Sequence, residues 1–286
     1  MSQDNNSGGD GDNHLPVPAQ PPLAPEIPLP GEENAGANRR RDARKNLDLE
    51  LARIKRTKRF GLFTTIIACL FVACVMIPVG WVTFYRFVEA PSTMLMLMRA
   101  ADGDVIRHRN VRLAEMSPHI VRAVIAAEDS NFCSHDGFDV EAIRAAMDRN
   151  AEGGRMRGAS TISQQTAKNL FLWPARSWLR KGVETYFTAL IEFMWPKRRI
   201  MEAYLNAAEW GDGIFGIEAA AQARFGVSAR DLTQLQAARL AAVLPSPNSW
   251  SAESPGPYVR RRAAAIVQRA RVVHTEGYAA CVLRNG

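Results

Sequence analysis

The feature that most constrains this chain is one apolar run, FGLFTTIIACLFVACVMIPVGWVTFY, at residues 60–85. No charged residue interrupts it, and a helix needs only about 20 apolar residues to cross the hydrocarbon core of a bilayer. A buried core helix is the alternative, but this run is long for one. Membrane helices tolerate a proline such as Pro78, and Trp81, Phe84 and Tyr85 suit the membrane–water interface. The run therefore predicts a single transmembrane helix.

The segments before the run differ in charge, and the difference predicts the orientation of the span. Residues 1–38 contain no lysine or arginine and many Pro, Gly and Asn residues, which is typical of a disordered tail. Residues 39–59 are basic, which predicts a cytoplasmic N-terminus with residues 90–286 on the other side of the membrane. A cleaved signal peptide fits less well, because 59 residues precede the apolar run. We expect the basic segment to contact the membrane rather than a nucleic acid.

Beyond the span the hydrophobic periodicity is helical almost throughout, which predicts one mainly α-helical domain at residues 90–275 and a short tail at 276–286. Ser117 before Pro118 marks a helix start, because a hydroxyl N-cap and a proline at the first helical position favour one. Further helices are predicted at 139–150, 161–171, 178–194, 197–209, 216–224, 233–243 and 257–273. Residues 101–113 combine a turn signal with short alternation, which predicts a β-hairpin.

The four cysteines divide between the span and the exterior domain. Cys69 and Cys74 lie in the apolar run, whereas Cys133 and Cys281 lie beyond it. The latter two could pair in an oxidising compartment, but their positions in the sequence do not show whether they meet. The cysteine spacing does not resemble that of a zinc site.

Glu128, in the stretch AAEDSNFCSHDGFD, is the first candidate for chemistry. It follows Val124 by four residues and Ile125 by three, which places its carboxylate at the end of the apolar stripe of a helix. A partly desolvated carboxylate holds a proton more readily, as a general base near neutral pH needs. The alternative is a helix-end acid paired with Arg122 or Arg144. In the same stretch, we expect His135 to fix the loop by hydrogen bonds rather than to act as a ligand or base.

The stretch RMRGASTISQQTAKNLFL joins a basic, glycine-bearing loop to an apolar helix. Thr161 and Gln164 fit a capping box, and Ser160 could also cap the helix. Capping does not account for Gln165, or for Lys168 on the same helical face. Because a helix N-terminus attracts anions, the stretch also fits a site for an anionic, hydroxylated ligand.

The stretch RSWLRKGVE supplies a third group of charges. Arg180 and Lys181 lie four and three residues before Glu184, so the three share one helical face. An ordinary surface ion-pair ladder is one interpretation. The other is a diphosphate site, because Lys168, Arg176 and these two cations fall within a short segment. Glu184 would then orient the cations or help to hold a divalent ion.

Five motifs stand in order along the chain and together resemble one family. They are Glu128-Asp129, Phe132, His135 and Gly137; Gly158, Ser160-Thr161 and Gln164-Gln165; Arg180-Lys181 with Glu184; Lys197, Ile200, Tyr204 and Asn206; and Arg239, Leu240-Ala241-Ala242 and Leu244-Pro245. One of them would be weak evidence, whereas five in order are specific. Over roughly residues 90–275 the chain resembles glycosyltransferase family 51, and within it the monofunctional biosynthetic peptidoglycan transglycosylases.

The resemblance implies a lysozyme-like α-helical domain that polymerises lipid II outside the inner membrane of a Gram-negative bacterium. Glu128 would be the general base that takes the proton from the 4-hydroxyl of the acceptor GlcNAc. That oxygen would attack C1 of the donor MurNAc on the nascent glycan strand, with inversion to a β-1,4 linkage and release of undecaprenyl diphosphate. Proteins of cell division or elongation are possible further partners.

The resemblance also assigns roles to the remaining site residues. Lys168 and Arg176 would stabilise the departing diphosphate. Arg180, Lys181 and Glu184 would shape that site, with Glu184 as a second catalytic carboxylate or as a ligand of a divalent Mg or Mn ion. The part of the site that binds the donor substrate would be lined by Ser160, Thr161, Gln164 and Gln165.

Two other functions fit parts of the same sequence. A membrane-anchored, lysozyme-like hydrolase would also use a glutamate, but as an acid, and would not need a diphosphate site. A non-catalytic scaffold of the cell-wall machinery would use the helix face near 197–217 to bind partners and would not depend on Glu128. Products formed from lipid II alone distinguish the transferase from the hydrolase.

Overall fold

The computed structural model describes residues 32–151, 160–175 and 177–283. Two compact units divide the chain, Met1–Ala68 and Cys69–Gly286. The larger unit contains every site residue predicted from the sequence.

The first helix, α1, spans Glu32–Phe71 and is almost entirely exposed. A disordered tail was expected up to residue 38, but the helix already begins at Glu32, so the expectation is wrong for residues 32–38. The alanines and arginines in the first part of this helix have high helix propensity. The basic segment 39–59 is part of this helix.

Within the described residues, 35–87 is the one helical stretch long and apolar enough to cross a membrane. None of its most apolar window is buried inside the protein. A surface of this kind is what a helix presents to lipid, so the stretch fits the predicted membrane anchor.

The helical geometry changes just before Pro78. A π-helical segment, Val72–Met76, follows α1, and α2 then spans Ile77–Phe87. Proline has no backbone N–H, so Pro78 cannot donate to the carbonyl of Cys74 one turn earlier. The hydroxyl of Tyr186 donates to that carbonyl at 2.8 Å instead.

The larger unit continues as a series of helices. They are α3, Met94–Ala101; α4, Pro118–Glu128; α5, Val140–Ala151; α6, Ile162–Phe171; α7, Trp178–Met194; α8, Lys197–Ala207; α9, Ile217–Phe225; α10, Gln234–Val243; α11, Pro257–Thr275; and α12, Ala280–Leu283. Each predicted helix is present with its ends displaced by no more than two residues, and α3 and α12 lie outside the predicted helices. The prediction of a mainly α-helical domain is confirmed.

A small three-stranded sheet stands in place of the predicted hairpin at residues 101–113. Strand β1, Arg107–His108, pairs in parallel with β3, Ile214–Phe215, which pairs antiparallel with β2, Glu209–Gly211. The hairpin prediction is therefore wrong. The partner of β1 lies far along the chain, and local alternation cannot identify such a partner. Strand β2 also explains why α8 ends earlier than predicted.

Helix α4 lies at the centre of the hydrophobic core. It packs on α10 and α11, while α6 packs on α7 and α8. Ile120, Val124 and Ile125 of α4 are fully buried, as are Ile162 of α6 and Tyr204 of α8. This packing brings the C-terminal end of α4 next to α6.

Cys133 and Cys281 form a disulfide, with their Cα atoms 5.6 Å apart. The bond joins the loop after α4 to α12 across 148 residues of sequence. Cys69 and Cys74 are free. The pairing that the sequence left open is therefore present in the fold.

Candidate active site

Glu128 is the last residue of α4, and its side chain is 14% exposed. The alternative raised from the sequence was an ion pair with Arg122 or Arg144. The structure instead places Arg262 of α11 beside it, with Nη2 3.6 Å from Oε1 of Glu128. The expected partners are wrong because the neighbouring cation comes from a helix that packs on α4 only in the folded protein.

Gln165 contacts the other oxygen of the Glu128 carboxylate. Its Nε2 donates to Oε2 at 3.0 Å. The Tyr204 hydroxyl donates to Oε1 of Gln165 at 3.4 Å, which orients the amide. Burial raises the pKa of Tyr204 well above its usual value, and the carboxylates of Glu128 and Asp129 raise it further, so the phenol stays protonated and can donate. Two predicted site residues, Glu128 and Gln165, are thereby in direct contact.

Asp129 and His135 fix the loop that follows α4. Nε2 of His135 lies 2.9 Å from Oδ1 of Asp129, and the N–H of Gly137 donates to Nδ1 of His135 at 3.1 Å. Since Nδ1 accepts, Nε2 carries the hydrogen and donates to the carboxylate. Asp129 also accepts from the N–H of Ile162 at 3.0 Å. The predicted loop-fixing role of His135 is confirmed, and Asp129 ties this loop to the start of α6.

Thr161 and Gln164 form the predicted capping box of α6. Oγ1 of Thr161 accepts from the N–H of Gln164 at 3.2 Å, and Oε1 of Gln164 accepts from the N–H of Thr161 at 3.0 Å. Both residues are buried, and Asp129 takes the N–H of Ile162. The N–H groups of Thr161, Ile162 and Gln164 are therefore already paired within the protein, and an anion site at this helix start stays a prediction. Thr161 and Gln164 stabilise the helix, while Ser160 lies exposed before it.

A buried polar network supports the loop from α7 and α8. Nζ of Lys197 donates to the carbonyl of His135 at 2.6 Å and to Oε1 of Glu192 at 2.8 Å. The same ammonium lies 4.6 Å from the ring centre of Phe132. Ser163 of α6 also donates to Glu192. These residues hold α6 and the loop after α4 against each other.

Lys168 lies three residues after Gln165 on α6, so both side chains share one face of the helix. Desolvation lowers the pKa of Lys168, an effect that the carboxylate of Glu184 opposes and the guanidinium of Arg180 strengthens. The carboxylate of Glu128 also favours the charged ammonium. Lys168 therefore lies in the electrostatic field of both candidate carboxylates.

Two adjoining cavities form a groove beside Lys168. Their volumes are about 570 and 210 Å³, and they share Leu95, Lys168 and Asn169. The larger is also lined by Leu172, Trp173, Pro174, Ala175 and Arg180. The smaller is also lined by Thr93, Gln165, Tyr204, Ala207, Ala208, Glu209, Leu244 and Pro247. Lys168 thus lies at the junction of a mainly apolar section and a more polar section that reaches Gln165.

Arg180, Lys181 and Glu184 form an ion cluster on α7. Nη1 of Arg180 lies 2.8 Å from Oε2 of the buried Glu184, and Lys181 pairs with the other oxygen. Their predicted common face is confirmed. Arg180 also lines the larger cavity, and its Nε is buried without a hydrogen-bond partner. Nε itself is enclosed, so what the cavity offers to an anionic ligand is the charge and the terminal nitrogens of the guanidinium.

The described residues surround Glu184 with cations rather than with oxygen ligands, and the use of a divalent ion there stays a prediction. Both oxygens of its carboxylate already face cations, whereas Mg²⁺ or Mn²⁺ needs several oxygen ligands. In the part of the chain that the structure describes, no group of three or more His, Cys, Asp and Glu side chains could hold a metal. Arg176 lies outside the described residues, so its place among the cations stays a prediction.

Several residues of the site were missed from the sequence. Arg262 is one of three consecutive arginines, and only the packing of α11 on α4 distinguishes it. Leu95 and Trp173 line the groove, and Glu209 lines its smaller cavity. Glu209 pairs with Arg99 at 3.2 Å. The apolar segment directly after the span, which contains Leu95, was the one signal that could have indicated that α3 lines an apolar groove.

Comparison with known proteins identifies the family to which this chain belongs. The transglycosylase family model matches residues 96–271. The biosynthetic peptidoglycan transglycosylase of Rhodospirillum centenum is 58% identical over 200 residues, which cover 70% of this chain and 87% of that protein. The Caulobacter vibrioides protein of the same name is 51% identical over 221 residues, covering 77% and 96% of the two chains. The Pseudomonas aeruginosa protein of that name is 54% identical over 194 residues, covering 66% and 84%. The chain therefore belongs to the transglycosylase family.

Proposed function

We propose that this chain polymerises peptidoglycan glycan strands from lipid II, with Glu128 as the general base. The proton of the acceptor 4-hydroxyl passes to Glu128, and the oxygen forms a bond to C1 of the donor MurNAc. The bond from C1 to the diphosphate oxygen breaks, and its electron pair leaves with the diphosphate. Attack on the face opposite the leaving group inverts the α configuration to β.

The observation that carries the proposal is the spacing of Gln165 and Lys168 on α6. Gln165 contacts the carboxylate of Glu128, and Lys168 lies one turn further along, where the two cavities of the groove meet. One rigid helix therefore sets the distance between a base and a cation. A reaction that deprotonates an alcohol at one point and releases an anion at another needs this arrangement.

The leaving diphosphate would bind at the larger cavity of the groove. Lys168 and Arg180 both line this cavity, and Nε of Arg180 has no protein partner. Glu184, buried beneath the cations, holds Arg180 and Lys181 in place, and we assign it this positioning role. Stabilising the departing anion by cations removes the need for a strong general acid.

The apolar wall of the same cavity suits the lipid that carries the diphosphate. Leu95, Leu172 and Trp173 lie next to the cations. A lipid diphosphate presents a charged head attached to a hydrocarbon chain, and the cavity provides a surface for each. This amphipathic lining favours the transferase over a hydrolase, whose polymer substrate carries no such group.

The orientation of the chain in the membrane follows from charge and from cysteine chemistry. The basic segment 39–59 before the apolar run favours a cytoplasmic N-terminus. The Cys133–Cys281 disulfide of the larger unit favours an oxidising compartment for the catalytic domain. Both arguments support a periplasmic position for the domain at the inner membrane, where lipid II is polymerised. Contacts with cell-division or elongation proteins remain an expectation.

The test is the reaction of the purified full-length protein with labelled lipid II, with and without Mg²⁺ or Mn²⁺. We expect glycan strands that grow from lipid II, and loss of polymer in Glu128→Gln while lipid II still binds. Glu141→Gln, which removes a carboxylate from the exposed start of α5, is the matched control and should polymerise normally. Polymer from Glu128→Gln at the normal rate would remove Glu128 from the mechanism. Shortening of preformed glycan without polymerisation would identify a hydrolase.

A further inference from the structure

We infer that a second cavity of the larger unit binds a carboxylate, and that this carboxylate belongs to the peptide carried by the substrate. The inference rests on the proposed function. The cavity, which we name the arginine pocket, has a volume of about 370 Å³. It is lined by Asp104, Val105, Arg107, Asp212, Gly213, Ile214 and Arg224.

Arg224 is the residue that points to a ligand. It lies in the last turn of α9, and its Nε is buried without a hydrogen-bond partner. Among the described residues its guanidinium makes no ion pair either. The helix dipole favours a cation at this position but supplies no acceptor for Nε. Nε itself is enclosed by the protein, but the guanidinium lines the cavity, where its terminal nitrogens can donate to an acceptor from outside the protein.

The backbone beside Arg224 leaves room for its guanidinium. A Cβ atom built on Gly211 would overlap Nη2 of Arg224, so only glycine at this position allows the observed placement. Arg107 lines the same cavity from β1, and its side chain is exposed. Two guanidinium groups therefore line one pocket, and the planar donors of arginine match the two oxygens of a carboxylate.

The acidic residues of the pocket already have a cation of their own. Nε of Arg99 lies 2.8 Å from Oδ2 of Asp104, and its Nη2 pairs with Asp212. Arg107 and Arg224 are therefore left for a ligand. The two aspartates would repel a doubly charged phosphate more strongly than a singly charged carboxylate, which favours the carboxylate.

The position of the pocket relative to the groove identifies the source of the carboxylate. Arg99 pairs with Asp104 and Asp212 of the pocket and also with Glu209 of the smaller groove cavity. One ion cluster thus separates the two sites. A sugar bound in the groove could extend a short branch past this cluster. The peptide of a peptidoglycan precursor is such a branch, and it carries carboxylates.

The experiment compares two substrates for full-length enzyme: lipid II with its native peptide, and lipid II whose peptide carboxylates have been converted to carboxamides. We expect the KM of the unmodified enzyme to rise about fivefold on amidation with kcat nearly unchanged, because a charged hydrogen bond contributes to binding rather than to chemistry. In Arg224→Gln the KM for native lipid II should rise to the same value, and amidation should have no further effect.

Controls separate the pocket from general effects of charge and folding. Arg271→Gln removes an exposed guanidinium from α11 and should retain the full response to amidation. Gly211→Ala, which displaces the Arg224 guanidinium without changing charge, should behave like Arg224→Gln. An unmodified enzyme with equal KM for both substrates would overturn the inference without any variant, and so would Arg224→Gln that still distinguishes them. Failure of the unmodified enzyme to polymerise either substrate would instead overturn the proposed function.

Discussion

The side-chain amide of Gln165 donates to the carboxylate of Glu128 at 3.0 Å and accepts from the hydroxyl of Tyr204. The contact joins the end of α4 to the helix that carries Lys168. It gives a role to the amide that follows the capping box, since Thr161 and Gln164 fix the start of α6 and Gln165 reaches the carboxylate of Glu128. The orientation of the Glu128 carboxylate therefore depends on the position of α6.

Replacing Gln165 tests this contact. Hydrogen bonds to charged groups contribute about 1.5–3 kcal/mol, so we expect Gln165→Ala to lower kcat/KM for lipid II by roughly ten- to a hundredfold. Tyr204→Phe removes only the longer 3.4 Å bond to the amide and should have a smaller effect. Steady-state polymerisation assays measure both. Equal rates for Gln165→Ala and the unmodified enzyme would show that the contact does not assist the base.

The lowered pKa of Lys168 predicts a feature of the pH dependence. Desolvation favours the neutral amine, so Lys168 loses its charge at lower pH than an ordinary lysine. Polymerisation should therefore decline on the alkaline side as Lys168 deprotonates. Arginine remains protonated throughout this range, so Lys168→Arg should move the alkaline decline of kcat to higher pH. An alkaline limb at the same pH in both proteins would assign the decline to another group.

The Cys133–Cys281 disulfide predicts a dependence of stability on oxidation. A bond that closes a loop of 148 residues constrains the unfolded chain strongly, and loss of a native disulfide costs about 2–5 kcal/mol in small secreted domains. We expect Cys133→Ser with Cys281→Ser to lower the melting temperature. Reductant should lower the melting temperature of the unmodified protein but not that of this double variant. Cys69→Ser with Cys74→Ser is the control and should respond to reductant like the unmodified protein. Four free thiols in the non-reduced, denatured protein would show that the bond does not form.

The bond between Tyr186 and the carbonyl of Cys74 predicts a coupling with Pro78. Tyr186→Phe should reduce the free energy of unfolding by about 0.5–1.5 kcal/mol, the contribution of one hydrogen bond. In a Pro78→Ala background the N–H of residue 78 can donate to Cys74 within the helix, so Tyr186→Phe should then change little. Denaturation of the four proteins in the same detergent completes the double-mutant cycle. Additive effects would show that the tyrosine and the proline act independently.

The predictions from the sequence succeeded where the signal is local. Helical periodicity located most helices of the larger unit to within two residues but missed α3 and α12, and Thr161 with Gln164 identified the start of α6. Spacing along α7 was sufficient to place Arg180, Lys181 and Glu184 together. The predictions from the sequence failed where the partner of a residue lies far along the chain. Strand β1 pairs with β3, and Arg262 rather than Arg122 or Arg144 lies beside Glu128.

What the sequence by itself determined is therefore the apolar span, the order of most of the helices and the motifs of the family, each of which occupies a short stretch of the chain. These properties depend on neighbouring residues, which share a helix face or a cap. Only the tertiary structure decided which amide and which arginine contact Glu128, that Cys133 meets Cys281, and that Arg224 has no partner in the described chain. Such contacts arise when helices distant in sequence pack around α4 and α6, and no local pattern encodes the register of that packing.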